Sequence, residues 1–123
     1  MPEINAFRMD GLGNDFIIID RRKNEIKLSK EQIIKASDRN NVGFDQIIYI
    51  EKEINNTFPI TIYNSDGNEV DACGNGARCI AYLLSKEKNT KKIVLKTNNR
   101  LLDANITGNL TVKLKMGKPL FNW

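Results

Sequence analysis

The chain has 123 residues, 41% of them hydrophobic, which is enough to close one hydrophobic core and too little for two independent ones. Its formal net charge is +4, but 19 Lys and Arg residues are interleaved with 15 acidic residues and lack the interspersed aromatic side chains of a stacking surface. We therefore expect no nucleic-acid partner, and the lysine-rich run at 86–92 is interpreted as a solvated helix end and loop.

Eight elements are predicted from apolar periodicity, which is two residues in strands and between three and four in helices. In chain order they are a strand at 16–20, a helix at 30–38, strands at 46–51 and 58–64, a helix at 74–86, and strands at 92–97, 101–106 and 110–116. Ser29 followed by Gln32 fits a capping box for the first helix. Asp66-Gly67 predicts a chain reversal, and residues 11–15 are interpreted as a polar, glycine-containing loop.

These elements predict the fold class. Five or six strands, two helices and mostly hairpin-length connections indicate an α+β domain in which a mostly antiparallel sheet wraps around a central helix. Helical spacing of the apolar residues between 77 and 84 makes the second helix the central, mostly buried one. We expect a single domain at 1–117, followed at 118–123 by the start of a linker that leads out of the domain.

The two cysteines of the chain predict its compartment. Cys73 and Cys79 lie six positions apart in a segment that reads as one helix, where their side chains point in different directions and cannot form a disulfide. Free thiols are typical of a reducing compartment. The first five residues lack the features of a signal peptide, and no apolar stretch approaches the roughly 20 residues of a membrane span. We expect a soluble, cytoplasmic protein without a membrane partner.

The segment 73–79, Cys-Gly-Asn-Gly-Ala-Arg-Cys, carries the most chemical information in the sequence. Backbone N–H groups at a helix start bind anions, and glycines let a ligand approach closely, so a carboxylate fits there. The same partial positive charge stabilises a thiolate, which would make Cys73 a base at neutral pH. The alternative is a buried structural cysteine. Cys79, two turns into the helix on an apolar flank, is interpreted as packing.

Other site classes are excluded by what the chain lacks. It contains no histidine, which removes Ser-His and Cys-His nucleophile pairs and the usual zinc sites, so no metal is predicted. Gly74 and Gly76 are not followed by the third glycine of a dinucleotide fingerprint, since Cys79 occupies that position. A Gly-Lys-Ser or Gly-Lys-Thr of a phosphate-binding loop is also absent. No cofactor is expected.

Four segments in order resemble the N-terminal half of the diaminopimelate epimerase family. They are Gly-Leu-Gly-Asn-Asp-Phe at 11–16, Gly-Phe-Asp-Gln at 43–46, Asn-Ser-Asp-Gly at 64–67 and the cysteine segment at 73–79, and Met-Gly-Lys-Pro at 116–119 is similar to the close of the family's first domain. The resemblance covers essentially this whole chain but about half of a family member. It implies a cofactor-independent epimerase of lysine and peptidoglycan precursor synthesis, acting on an amino-acid substrate.

The resemblance also implies residue roles. Cys73 corresponds to one of two catalytic thiols that exchange the α-proton between LL- and meso-diaminopimelate. The implied substrate contacts are Asn14, Gln46, Asn64, Gly74 and Asn75. These roles agree with the chemistry, because removal of an α-proton without an electron-sink cofactor requires a base and aimed N–H donors. Side-chain amides, which both donate and accept, suit a zwitterionic substrate.

Inversion at a carbon atom needs a second proton-transfer group on the opposite face of the substrate, and this chain has no second motif of that kind. Three hypotheses remain open. The chain is one half of an epimerase and is inactive without a C-terminal domain, it is a homodimer that brings Cys73 of each copy to one cleft, or it is a non-catalytic module that binds a carboxylate.

Overall fold

The structure of the chain is a computed structural model that describes residues 6–11, 13–23, 25–40, 42–70, 74–98, 100–108 and 111–116. Cys73 lies outside the described residues, as do the predicted linker at 118–123 and the start of the last predicted strand at Leu110. The predicted domain boundary at residue 117 lies outside them as well.

Eight strands and two helices form the described part of the chain. The strands are β1 (Ala6–Gly11), β2 (Asn14–Asp20), β3 (Gln46–Ile50), β4 (Phe58–Asn64), β5 (Glu69–Val70), β6 (Lys92–Lys96), β7 (Leu101–Gly108) and β8 (Thr111–Met116). The helices are α1 (Lys30–Ser37) and α2 (Gly74–Lys88). The capping box predicted for α1 is present, since Ser29 and Gln32 each bond the other's backbone N–H group. None of these helices is both long and apolar enough to cross a membrane.

The strands form one mixed sheet in the order β1-β2-β3-β4-β6-β7-β8, and β5 pairs with β4 outside this path. Two neighbouring pairs, β2 with β3 and β4 with β6, are parallel. The other described pairs are antiparallel. The predicted α+β class with a mostly antiparallel sheet is therefore confirmed.

Each of the two helices covers one side of the sheet. The apolar stripe of α2 is fully buried, with Ala77, Ile80, Ala81 and Leu84 all at 0% exposure. It packs in one core cluster with alternate residues of β2, β3 and β4 and with β6 and β7. Helix α1 packs through Ile33 against the intervening residues of β2 and β3 in a second cluster. The prediction of a central, buried α2 is confirmed.

The sequence interpretation was wrong at two places. It assigned residues 11–15 to a loop, but Gly11 ends β1 and pairs with Asn14, and both Asn14 and Asp15 belong to β2. It also counted five or six strands, because β1 and the two-residue β5 were not recognised. Strand β1 carries charged residues among its apolar ones and lies at the sheet edge, where the periodic signal of burial is weak.

Candidate functional site

Three predicted site residues lie at neighbouring ends of three strands, on the side of the sheet that α2 covers. Residues two apart in a strand point to the same face. Each amide lies two residues from a buried side chain on the α2 face of its strand. Asn14 precedes Phe16 in β2, Gln46 precedes Ile48 in β3, and Asn64 follows Ile62 in β4. Since β2 and β3 are parallel and β4 is antiparallel to β3, these three strand ends meet. The core thus ends in a row of amides.

Asn75 joins this row from the first turn of α2. Its Nδ2 donates a hydrogen bond of 3.0 Å to Oδ1 of Asn14, which is 61 positions earlier in the chain. Both side chains are half-buried. The start of α2 is therefore attached to the start of β2, and two of the predicted substrate contacts are direct neighbours.

Gln46 and Asn64 form the second amide pair of the site. Their Cα atoms are partners in the β3–β4 ladder, and Gln46 Nε2 donates to Asn64 Oδ1 at 2.8 Å. Gln46 Oε1 is buried and has no hydrogen-bond partner among the described residues. A buried acceptor without a partner costs about 1 to 3 kcal/mol. The pair therefore holds an unused acceptor that an N–H group of a ligand could satisfy.

The start of α2 is electropositive. The helix has no acidic residue in its first turn, and its first N–H groups carry the positive end of the helix dipole. A Cβ atom on Gly74 would lie 3.1 Å from Nη1 of Arg78, so the guanidinium group of Arg78 lies over this first turn. Cys73 precedes Gly74 in the sequence and lies outside the described residues. Cys79 is half-buried and packs against the α2 core, which agrees with its interpretation as a packing residue.

A cluster of four charged residues borders the Asn14 end of the row, and the sequence analysis assigned it no role. Arg39 binds Asp15 at 2.8 Å and Asp45 at 3.1 Å, and Arg8 lies 3.5 Å from Asp15. Gly43 has φ +73°, and a Cβ atom there would lie 2.9 Å from Cδ of Arg39. Only glycine therefore combines this backbone conformation with the close approach of Arg39. The glycine of the Gly-Phe-Asp-Gln segment at 43–46 indicates a turn in the sequence. The segment does not identify Arg39 as the residue that contacts this glycine.

The described residues contain no group of three or more Cys, Asp or Glu side chains placed to hold a metal ion. What they offer instead is a set of uncharged amide donors and acceptors beside a positive helix end. Such a set can bind a small molecule that carries both carboxylate and ammonium groups, because amides satisfy either charge.

Solved structures with similar backbones define the class of fold. A phenazine biosynthesis protein of the PhzF family from Bacillus anthracis matches with a TM-score of 0.67 and 22% identity, over 94% of this chain and 40% of that one. A predicted epimerase from Pseudomonas aeruginosa matches with a TM-score of 0.62 and 13% identity, over 93% of this chain and 42% of that one. The chain thus has the α+β domain shared by these proteins.

Sequence comparison identifies the family within that class. The sequence model of the diaminopimelate epimerase family matches residues 6–121. The curated diaminopimelate epimerase of Pelagibacter ubique is 49% identical over 121 residues, and that of Acidiphilium cryptum is 39% identical over 117 residues. The chain belongs to the diaminopimelate epimerase family.

The matches cover this chain almost completely but only part of each relative. They include 98% of this chain and 44% of the P. ubique protein, and 94% of this chain and 42% of the A. cryptum protein. The diaminopimelate epimerase of Coxiella burnetii gives the same proportion, with 97% of this chain and 45% of its own length. The chain therefore spans less than half the length of the curated relatives it matches.

Proposed function

We propose that the chain supplies one half of a diaminopimelate epimerase, in which Cys73 transfers a proton at the α-carbon and the amide row binds the substrate. The observation that carries the proposal is that Asn14 bonds Asn75 at the start of α2, while Gln46 bonds Asn64 at the neighbouring ends of β3 and β4. Family membership supplies the reaction class. The reaction interconverts LL- and meso-diaminopimelate and needs no cofactor.

The electrostatics of α2 support the role of Cys73. Removal of an α-proton builds negative charge next to the substrate carboxylate, and preorganised N–H donors reduce the cost of that charge. The dipole of α2 and the guanidinium group of Arg78 both place positive charge at the helix start. The same charge favours the thiolate form of a cysteine immediately before Gly74. One local arrangement thus serves both the base and the carboxylate.

The partner of this half-site is a second proton-transfer group on the opposite face of the substrate. A C-terminal domain would supply it, as the sequence coverage of the relatives suggests. In a homodimer, Cys73 of a second copy would supply it instead. We propose the first arrangement, since the relatives carry more than half of their length beyond the matched region.

The test combines this chain with the unmatched C-terminal portion of the P. ubique epimerase and follows diaminopimelate in deuterated water. We expect inversion and deuterium incorporation at the α-carbon. Cys73→Ser should reduce both by about 100- to 10,000-fold, as loss of a general base does. The matched control is Cys79→Ser, which changes a thiol in the same helix that packs against the core and should retain activity.

Each other outcome is informative. A folded pair that binds diaminopimelate but neither inverts nor deuterates it contradicts the proposal and favours a carboxylate-binding module. Inversion by the chain alone, with a dimer in sedimentation, favours the homodimer. Equal activity of the Cys73→Ser and wild-type pairs would remove the thiol from the mechanism.

A further inference from the structure

We infer that Asp45 is a positioning residue for the amide row: held by Arg39, its carboxylate fixes the orientation of Asn14 and, through Asn14, of Asn75. The inference rests on the proposed function for its catalytic consequence. The geometry that carries it is independent of that function. Asp45 lies next to the site, and the predicted substrate contact that its side chain touches is Asn14.

Asp45 connects β2 and β3, two of the three strands on which the site is built. Its backbone N–H donates to the carbonyl oxygen of Asp15 at 3.1 Å, and its Oδ2 accepts from the N–H of Asp15 at 2.8 Å. The next residue along, Gln46, starts the parallel β2–β3 ladder opposite Phe16. Asp45 therefore satisfies both backbone groups of Asp15 just before the ladder begins.

The two carboxylate oxygens of Asp45 have different partners. Oδ1 accepts from Nη2 of Arg39 at 3.1 Å, while Oδ2 accepts from the Asp15 N–H and faces Nδ2 of Asn14 at 3.5 Å. The contact with Asn14 is long for a hydrogen bond, but a carboxylate still strongly prefers the NH₂ side of an amide over its oxygen. This preference selects one of the two possible orientations of the Asn14 amide.

The selected orientation determines the next contact. With Nδ2 of Asn14 toward Asp45, Oδ1 of Asn14 faces α2 and accepts from Nδ2 of Asn75 at 3.0 Å. Reversal of the Asn14 amide would bring its oxygen against the Asp45 carboxylate and its NH₂ group against that of Asn75. Both contacts would then be repulsive. The charge of Asp45 thus sets the polarity of a chain of three side chains that ends at the first turn of α2.

The exposure of the cluster indicates a local role. The side chains of Arg39 and Asp45 are 59% and 39% exposed, and exposed ion pairs contribute little to folding stability. An effect of Asp45 on the site should therefore be separable from an effect on the fold. Asn in place of Asp keeps the shape but provides one acceptor oxygen instead of two, so it cannot serve Arg39 and the Asp15–Asn14 side together.

The direct test is the side-chain amide spectrum of the ¹⁵N-labelled chain. We expect Asp45→Asn to shift the side-chain NH₂ signals of Asn14 and Asn75, while the matched control Asp103→Asn, an exposed aspartate in β7, leaves both in place. Unshifted Asn14 and Asn75 signals in folded Asp45→Asn would overturn the inference. If Asp45→Asn does not fold, Arg39→Gln is the substitute, since it removes the support of Asp45 at an exposed position and should shift the same two signals.

The functional readout uses the reconstituted pair described above. Asp45→Asn should lower kcat/KM by about tenfold, mainly through KM, because displaced amides weaken substrate binding, and Asp45→Glu, which keeps both oxygens, should recover part of the loss. Unchanged kinetics with shifted amide signals would limit the role of Asp45 to structure and overturn its positioning role. If the wild-type pair itself is inactive, the proposed function fails, and the amide spectra still decide whether Asp45 orients Asn14.

Discussion

Asn75, in the first turn of α2, donates a side-chain hydrogen bond of 3.0 Å to Asn14, the first residue of β2. This bond closes a loop of about half the chain and fixes where the helix begins relative to the sheet. Because β2 is also the parallel partner of β3, the strand bonded to the helix start lies beside the strand that carries Gln46. The site is thus a junction between one helix and three strand ends.

The first prediction concerns Asn75. Asn75→Ala removes the donor to Asn14 at a half-buried position, so the expected cost in stability is about 1 kcal/mol. The expected loss in deuterium incorporation by the reconstituted pair is larger, about tenfold or more, since the amide also contacts the substrate in the proposed function. Unfolding by urea and the exchange assay measure the two effects separately. A large loss of stability with unchanged exchange would make the bond purely structural.

The second prediction concerns the unpartnered oxygen of Gln46. Gln46→Met alone removes that oxygen but leaves Oδ1 of Asn64 without its donor. The double variant Gln46→Met with Asn64→Leu removes both polar partners, which is often neutral or stabilising. We therefore expect the double variant to be at least as stable as the wild type in thermal unfolding. The single variant should be less stable than the double variant by about 1 kcal/mol. Both should lose substrate binding. A double variant less stable than the single one would show that the amides support the fold.

The third prediction concerns Arg78 and Cys73. The guanidinium group of Arg78 lies over Gly74, the residue that follows Cys73 in the sequence. Consecutive Cα atoms are about 3.8 Å apart, so we expect the charge of Arg78 to act on the thiol. Loss of that charge should slow alkylation of Cys73 at neutral pH by about two- to fivefold, as expected for one charge at this range near a protein surface. The comparison is Arg78→Gln against Arg78→Lys, both in the Cys79→Ser background, with mass spectrometry of the iodoacetamide reaction. Equal rates in both variants would remove Arg78 from the electrostatics of the site.

Much of the fold was predictable because burial leaves a period in the sequence. Strand β4 was predicted with the observed bounds, since Phe58, Ile60 and Ile62 alternate with less buried residues. Strand β1 was missed because it lies at the end of the strand order and pairs with β2 alone, so its apolar and charged residues show no clear period. The amides of the site were predicted from the family motifs, although they also continue the buried rows of three strands. That signal becomes visible only once the strands are aligned.

The contacts of Asp45 could not be predicted in this way. They depend on the register between β2 and β3, and no periodic pattern records which residue of one strand lies beside which residue of the other. A segment such as 43–46 states that a turn and a polar group are present. It does not state that the carboxylate will bind the backbone of Asp15, which lies 30 positions away. Long-range polar pairs require the fold before they can be assigned.

The fourth prediction concerns acid pH. Arg22 binds Asp20 at 2.9 Å and Glu87 at 2.6 Å, linking the end of β2 to the end of α2. Burial alone would raise the pKa of Asp20, but its hydrogen bonds with Arg22 outweigh burial and lower it. The hydrogen bond from Arg22 likewise lowers the pKa of Glu87. A carboxylate with a lowered pKa in the folded state stabilises the fold above its unfolded pKa and loses that contribution as the pH falls through the folded value.

The chain should therefore lose stability as the pH falls from about 5 to about 3, where the ordinary carboxylate pKa values lie. The expected contribution of the three-residue group is about 1 kcal/mol, since it is partly exposed. Thermal unfolding at both pH values measures it. Glu87→Gln should reduce the difference between them, while Glu53→Gln, which removes an exposed ion pair of 3.6 Å with Lys88, serves as the control. The same pH dependence in both variants would contradict the assignment.

The fifth prediction tests the second core cluster, on the α1 side of the sheet. Tyr49 has 0% exposure, and its hydroxyl oxygen accepts a hydrogen bond of 2.9 Å from the N–H of Leu28, just before α1. Tyr49→Phe keeps the ring but leaves that N–H unpaired, so we expect a loss of about 1 kcal/mol and a decrease of about 5 °C in Tm. The matched control is Tyr63→Phe, because Tyr63 is half-buried and its ring contacts that of Tyr49 edge-on at 5.8 Å. If the two variants unfold at the same temperature, the Leu28 bond does not hold the approach to α1. Since the amide row lies on the opposite face of the sheet, neither substitution should alter substrate binding.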